Sequence, residues 1–88
     1  MDMHEARVMA ALNEQPRKQL TIAELIDSTG DNPAHVRRAV KALANRGLLA
    51  EATRGRPSSW QMSARGVSFA KTKRGHAVLD VPPIGVAR

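Results

Sequence analysis

The chain has 88 residues, a formal net charge of +6 and no cysteine. This length corresponds to one domain, and the lack of cysteine excludes disulfides and cysteine-ligated zinc. Apolar residues make up 42% of the chain but occur only in short runs, so we expect a folded cytoplasmic domain with no membrane-spanning segment and no leader peptide.

The N-terminal segment predicts a first helix and a short strand. Asp2 and Glu5 have the spacing of a capping box, in which each side chain accepts a hydrogen bond from the other residue's backbone amide. We expect the helix to cover residues 2–14, because the residue before Pro16 is disfavoured in the helical conformation. Leu20 lies just before the next helix start and is expected to form one or two residues of strand.

A second, short helix is expected to begin at Thr21. Thr21 and Glu24 repeat the capping-box spacing of the first helix. Gly30 is expected to end the helix, because glycine adopts the positive φ that a C-terminal cap needs. The apolar face of this helix is formed by Ile22, Leu25 and Ile26.

The third helix has the clearest start signal in the chain. Asn32 is a favourable N-cap, and Pro33 follows at the first helical position, where its missing N–H costs nothing. We expect the helix to end at Arg46, because Gly47 is a typical residue just beyond a helix C-terminus. Its apolar stripe consists of Val36, Val40 and Leu43, widened by Ala39.

The rest of the chain predicts a β-hairpin and a final helical segment. Residues 48–53 and 60–62 are expected to form strands joined by a turn rich in Gly, Pro and Ser. Ser63 is expected to cap a helix from residue 64 to about residue 72. We therefore predict a domain at 1–74 and a C-terminal tail at 75–88. The fold class is mainly α with a small β-hairpin (α+β).

Basic residues are concentrated in the middle of the chain. Residues 1–30 contain three bases and five acids, whereas residues 31–74 contain ten bases and two acids, a net charge of +8. Such a concentration is the electrostatic footprint expected for a polyanionic partner such as nucleic acid. The alternative is a basic surface that serves solubility alone.

The third helix has the position and polarity of a recognition helix. It follows the second helix after a short turn, as in a helix-turn-helix, whose second helix enters the major groove of DNA. No carboxylate occurs between Asp31 and Glu51, whereas an ordinary exposed helix face mixes both signs of charge. Arg and Lys can bond to guanine, and a small Ala can contact a thymine methyl. The candidate base contacts are Asn32, Ala34, His35, Arg37, Arg38 and Lys41.

The tip of the hairpin is a second basic element. Arg54, Gly55 and Arg56 form a flexible segment that, together with Pro57, resembles the core of AT-hook motifs. Arginine is attracted into narrow minor grooves, so we expect this tip to enter one. A solvated polar turn is the alternative. The residues expected to contact phosphates are Arg17, Lys18, Thr21, Arg46, Arg65 and Lys71.

The sequence predicts no metal site and no cofactor. The three histidines, His4, His35 and His76, share no helical spacing. Trp60 is expected to close the hairpin onto the core rather than to stack on bases. The sequence has no Gly-rich phosphate loop, paired-carboxylate pattern or cysteine nucleophile, so we expect neither an enzyme nor a small-molecule substrate.

Residues 20–69 resemble the winged helix-turn-helix of prokaryotic and phage transcription regulators, including MarR-type repressors. The resemblance depends on segments 21–25, 40–49 and 60–66. It implies three helices, a wing and a C-terminal helical segment or tail, with DNA contacts from the outward residues of 32–41 and from the wing arginines. The 88 residues include no counterpart of the long dimerisation helices or the effector pocket of full-length MarR regulators, so ligand-controlled repression is not implied.

We therefore expect sequence-specific binding of double-stranded DNA, with the helix at about 33–46 in the major groove and the wing at 54–57 in the minor groove. The expected protein is a small nucleoid-associated transcription regulator or a phage or plasmid accessory factor, and a homodimer is one expected state. The alternative is a winged-helix docking module whose basic face meets an acidic protein. The scarcity of aromatic residues disfavours single-stranded RNA as the partner.

Overall fold

A computed structural model of the chain describes residues 1–14, 19–55 and 57–81. The described part is mostly helical and includes a small antiparallel sheet, which confirms the predicted fold class. None of the helices in these residues has the length and apolar character needed to cross a bilayer. The elements in chain order are α1 (Met3–Asn13), β1 (Leu20–Thr21), α2 (Ile22–Thr29), α3 (Pro33–Asn45), β2 (Leu49–Thr53), β3 (Ser59–Met62), α4 (Ala64–Lys71) and α5 (Lys73–Val78).

Both predicted capping boxes are present. At the start of α1, the carboxylate of Asp2 accepts a hydrogen bond of 2.8 Å from the backbone amide of Glu5, whose side chain accepts one from Asp2. At the start of α2, Thr21 and Glu24 exchange the same pair of bonds. These caps satisfy amides that have no partner within the helix, so residues close in sequence determine where both helices begin.

The turn between α2 and α3 also forms as predicted. Gly30 has φ of 69°, the left-handed conformation that residues with a side chain rarely adopt. Asn32 accepts a hydrogen bond of 2.8 Å from the amide of Ala34, and Pro33 occupies the first turn. The helix ends at Asn45, one residue before the predicted end, with Arg46 as its C-cap. The two helices therefore form a helix-turn-helix.

The three strands found in the described residues form one antiparallel sheet in the order β1-β3-β2. Leu20 pairs with Trp60, which confirms the short strand predicted at Leu20, and Leu49 pairs with Met62. The register shifts between Glu51 and Thr53, close to the tip of the β2–β3 hairpin. We call residues 49–62, which include β2, β3 and the tip between them, the wing.

A single apolar core joins the helices to the sheet. The buried positions of α3 are those of the predicted stripe, and Trp60 is half-buried against the core, as predicted. Val8, Met9 and Leu12 of α1 pack into the same core. This packing buries one face of α3, while its opposite face is exposed. The core side chains with the lowest exposure are Met9, Leu12, Leu25, Leu43, Val8, Val36 and Val40.

The C-terminal part differs from the predicted boundary at 74/75, which falls inside α5. Thr72 caps this helix by accepting a hydrogen bond of 2.9 Å from the amide of Gly75. Leu79 is buried in the core, so the packed domain extends at least to this residue. The cap signal at Thr72 is local, but the docking of Leu79 is a tertiary contact that local sequence does not reveal. Residues 82–88 of the predicted tail lie outside the described residues.

Candidate nucleic-acid interface

The exposed face of α3 carries most of the predicted base contacts. A helix repeats every 3.6 residues, so positions 34, 37, 38, 41 and 45 share one face, opposite the buried positions 36, 40 and 43. All five of these positions are exposed. Pro33 and the Asn32 cap fix the start of the helix and therefore the direction of this face.

The basic side chains of this face have no acidic partner in the described part of the chain. Arg37, Arg38 and Lys41 form no ion pair with residues 1–14, 19–55 or 57–81. Ala34 precedes Arg37 and Arg38 by one helical turn and Lys41 by two, and it is also exposed. The face thus presents three cations beside one small apolar side chain, which is the donor and methyl-contact chemistry that base edges in a major groove require.

Two of the predicted base contacts have intramolecular partners. The side-chain oxygen of Asn32 accepts the amide of Ala34, so this residue acts first as a helix cap. His35 lies at the boundary between the buried and exposed faces, and its Nδ1 is 3.2 Å from Asp31. Its side chain is 42% exposed. The base contact assigned to His35 stays a prediction, and Nε2 is the ring nitrogen that remains for it while Nδ1 keeps this hydrogen bond.

The wing tip presents Arg54 to solvent. The side chain is 92% exposed and lies 3.6 Å from the carboxylate of Glu51, an ion pair that water and salt weaken strongly. Gly55 is exposed beside it, with φ of 154°. Arg56, the second arginine of the predicted minor-groove contact, lies outside the described residues. The described part of the tip thus offers one cation that is almost fully exposed to solvent.

The predicted phosphate contacts are distributed over several elements. Thr21 is the half-buried N-cap of α2, while Arg65 and Lys71 are exposed on α4. Arg46 is exposed at the end of α3 but lies 3.3 Å from the nearly buried carboxylate of Glu5. This pair joins α3 to α1, so Arg46 has a structural contact that the sequence did not predict. Arg17 and Lys18 lie outside the described residues.

The structure also contains a hydrogen-bonded cluster of side chains at the start of α3 that was not predicted from the sequence. His4 of α1 and His35 each hydrogen-bond through Nδ1 to a different oxygen of Asp31, which lies in the helix-turn-helix turn. Burial by itself would raise the pKa of Asp31, but hydrogen bonds from the two histidines and from the amide of Asn32 outweigh it and lower the pKa to about 2. Asp31 and His35 have helical spacing, whereas no local pattern connects His4 with them.

The order of elements and the basic helix define the class of the molecule as a winged helix-turn-helix domain. The model of the IclR helix-turn-helix domain matches residues 6–52, more than half of the chain. The chain therefore belongs to the IclR helix-turn-helix family. The matched segment runs from α1 through the turn and α3 into β2.

Solved structures of two bacterial proteins have the same fold. A variant of ZitR from Lactococcus lactis has a TM-score of 0.70 and 24% identity, and the match covers 88% of this chain and 51% of that one. BpsR from Bordetella bronchiseptica has a TM-score of 0.68 and 23% identity, and the match covers 80% of this chain and 52% of that one. The chain thus spans about half the length of these proteins. A search of curated proteins gave no match.

These comparisons confirm the predicted resemblance to winged helix-turn-helix regulators. The family that matches is IclR rather than MarR, so the MarR type stays a prediction. Many winged-helix families have a capped short helix, a helix that ends before glycine and a basic hairpin. These features predict the fold better than they separate one family from another.

Proposed function

We propose that this domain binds double-stranded DNA in a sequence-specific manner, as part of a transcription regulator. The observation that carries the proposal is the exposed face of α3, where Arg37, Arg38 and Lys41 lie without an acidic partner in the described part of the chain. The second helix of a helix-turn-helix is the element that enters the major groove. Membership of the IclR helix-turn-helix family supports the same function.

In this proposal, the contacts divide into two kinds. Arg37, Arg38 and Lys41 donate to base edges, and Ala34 contacts a thymine methyl. The wing places Arg54 in the adjacent minor groove, where Arg56 is expected to join it. The remaining contacts fix the position of the domain on the phosphates and carry no sequence information. These phosphate contacts come from Arg17, Lys18, Thr21, Arg65 and Lys71. Arg46 joins them if its ion pair with Glu5 opens.

The solved relatives suggest the kind of protein to which such a domain belongs. The BpsR structure describes the regulation of DNA binding by 6-hydroxynicotinic acid. We propose that this domain likewise acts within a DNA-binding regulator and that two copies bind a symmetric operator. In that arrangement, half-sites would be separated by about one helical turn of DNA, or about 34–36 Å.

The first test is selection from a pool of random duplexes, followed by fluorescence anisotropy on the enriched duplex and on a scrambled one. Arg38→Ala and Arg65→Ala are a matched pair, because both arginines are exposed and neither has an ion pair in residues 1–14, 19–55 or 57–81. Arg38→Ala is expected to weaken the binding free energy by about 1–3 kcal/mol on the enriched duplex only, and to relax the selection at one base pair. Arg65→Ala is expected to weaken binding to both duplexes equally.

Two outcomes would contradict the proposal at different levels. Equal losses on both duplexes for Arg38→Ala would remove the base-reading function of α3. Absence of binding to any duplex at low salt would reject DNA as the partner, and an acidic protein would then become the better candidate. An enriched motif with two inverted halves would support the dimeric arrangement.

A further inference from the structure

The fold brings two imidazoles and one carboxylate from three separate segments to one point. His4 lies in the first turn of α1, Asp31 in the turn between α2 and α3, and His35 in the first turn of α3. Each residue offers a ligand atom, and these atoms all lie within 4.8 Å of one another. The two imidazole rings have centroids 4.1 Å apart.

The carboxylate of this cluster is buried and held in a fixed orientation. The Asp31 side chain is only 5% exposed. One of its oxygens accepts a hydrogen bond of 2.7 Å from the backbone amide of Asn32. An ionised carboxylate is only an acceptor, so Nδ1 of both histidines carries the proton in this arrangement. The anion is therefore surrounded by donors that a cation can replace.

The two histidines give access from solvent. The His4 side chain is 28% exposed and the His35 side chain 42% exposed, so an ion can reach the carboxylate between them. A neutral imidazole can carry its proton on Nε2 instead, which leaves the lone pair of Nδ1 for a metal. In this exchange, each Nδ1–H group gives its proton to water and Nε2 takes one up from water, so the ring stays neutral and only its tautomer changes.

We propose that His4, Asp31 and His35 bind one divalent transition-metal cation, with zinc as the best-fitting ion. Two imidazole nitrogens and one carboxylate oxygen are a ligand set that Zn²⁺ uses with water or another group in the fourth position. Imidazole donors disfavour Mg²⁺ and Ca²⁺, which select oxygen ligands. The bound ion joins α1 to the helix-turn-helix turn and to the first turn of α3.

Arg7 is the group that opposes the ion. Its Nη1 lies 3.9 Å from the same Asp31 oxygen that His4 contacts. Its Nε is buried, and no hydrogen-bond partner for it occurs among the described residues. Arg7 therefore gives the carboxylate a weak positive neighbour when no metal is bound, and it repels a divalent cation. Replacement by the uncharged Met is expected to tighten binding of zinc.

The direct test is titration of the tag-free full chain with Zn²⁺ against a chromogenic chelator, in the absence of DNA. One Zn²⁺ per chain is expected. His4→Gln and His35→Gln are each expected to lower the affinity for Zn²⁺ by about tenfold or more. Removal of a residue that only supports a metal ligand already costs roughly this much, so loss of a ligand should cost no less. His76→Gln is the matched control, because His76 is the third histidine of the chain and lies on α5 outside the cluster.

Three further measurements make the test independent of folding defects. Circular dichroism must show the same helix content for the three Gln variants. Zn²⁺ is expected to raise the thermal midpoint of the wild type and of His76→Gln more than that of His35→Gln, because a ligand that binds only the folded state stabilises it in proportion to the logarithm of its affinity. Arg7→Met is expected to bind Zn²⁺ more tightly than the wild type does.

The proposal is overturned if no stoichiometric binding occurs, or if His76→Gln weakens binding as much as His35→Gln does. The cluster would then be a hydrogen-bond network that holds α1 against α3. Because none of these measurements contains DNA, their failure leaves the proposed DNA-binding function untouched, and failure of DNA binding leaves the metal site untouched.

Discussion

Gly66 of α4 lies against the backbone of Leu48, the residue that precedes β2. A Cβ atom built at this position would be 2.2 Å from the carbonyl oxygen of Leu48. That carbonyl also accepts a hydrogen bond of 3.1 Å from the amide of Ser63, so it cannot move away without loss of this bond. The glycine weakens the helix pattern in the sequence, but the close approach explains its presence.

Replacement of Gly66 by alanine is therefore expected to destabilise the fold although alanine favours helices. The intrinsic gain of about 1 kcal/mol is smaller than the cost of displacing a backbone carbonyl, and we expect a net loss of about 1–3 kcal/mol in the free energy of unfolding. Urea denaturation measures this quantity. Ser68→Ala is the control, because Ser68 is exposed on the same helix. Equal stability of the two variants would contradict the close approach.

Glu5 shows how one side chain can serve two contacts. Its carboxylate accepts the amide of Asp2 in the capping box, and one of its oxygens also lies 3.3 Å from Nη1 of Arg46. The first contact is local and follows from a spacing of three residues. The second depends on the packing of α1 against α3. Arg46, which was predicted to contact phosphate, thus also holds α1 and α3 together.

At the scale of the element, the start of α3 depends on its N-cap. Asn32 satisfies the amide of Ala34, and the first turn contains no acidic residue that could stabilise the helix dipole instead. Asn32→Ala is expected to cost about 1 kcal/mol in the free energy of unfolding, and Asn32→Ser to restore most of it. Asn45→Ala, an exposed change at the other end of α3, is the control.

Amide hydrogen exchange can separate this local effect from a global one. The amides of the first turn of α3 are expected to exchange faster in Asn32→Ala than the loss of overall stability explains, because the start of the helix frays. Uniform acceleration across the molecule would mean that the cap contributes to the fold as a whole and does not act locally.

Whether a contact can be predicted from the sequence depends on how far apart its residues lie along the chain. Asp2, Thr21, Asn32 and the glycine at position 30 act within a few residues, so the starts of three helices and the helix-turn-helix turn were predictable. Contacts between elements were not: the pairing of His4 with Asp31 and of Arg46 with Glu5 depends on how α1 crosses α3. Periodicity predicts which face of α1 is buried, but not which residues of α3 that face meets.

At the scale of the molecule, four of the eight acidic residues form structural hydrogen bonds, whereas several basic residues remain available. Asp2, Glu5 and Glu24 cap helices, and Asp31 accepts hydrogen bonds in the turn. The segment 31–74 has a net charge of +8, and several of its cations have no ion pair in the described part of the chain. The charge asymmetry of the sequence therefore becomes an exposed basic surface in the folded domain.

This arrangement predicts a steep dependence of DNA binding on salt. Contacts with about five phosphates release condensed counterions, so the logarithm of the binding constant is expected to fall with the logarithm of salt concentration with a slope of about −4 to −5. Arg65→Ala is expected to make the slope shallower by about 1, whereas Ala34→Ser should leave it unchanged because Ala34 carries no charge. Anisotropy titrations at several salt concentrations measure each slope. A slope near zero for the wild type would show that the basic surface is not the contact with DNA, whatever the affinity at low salt.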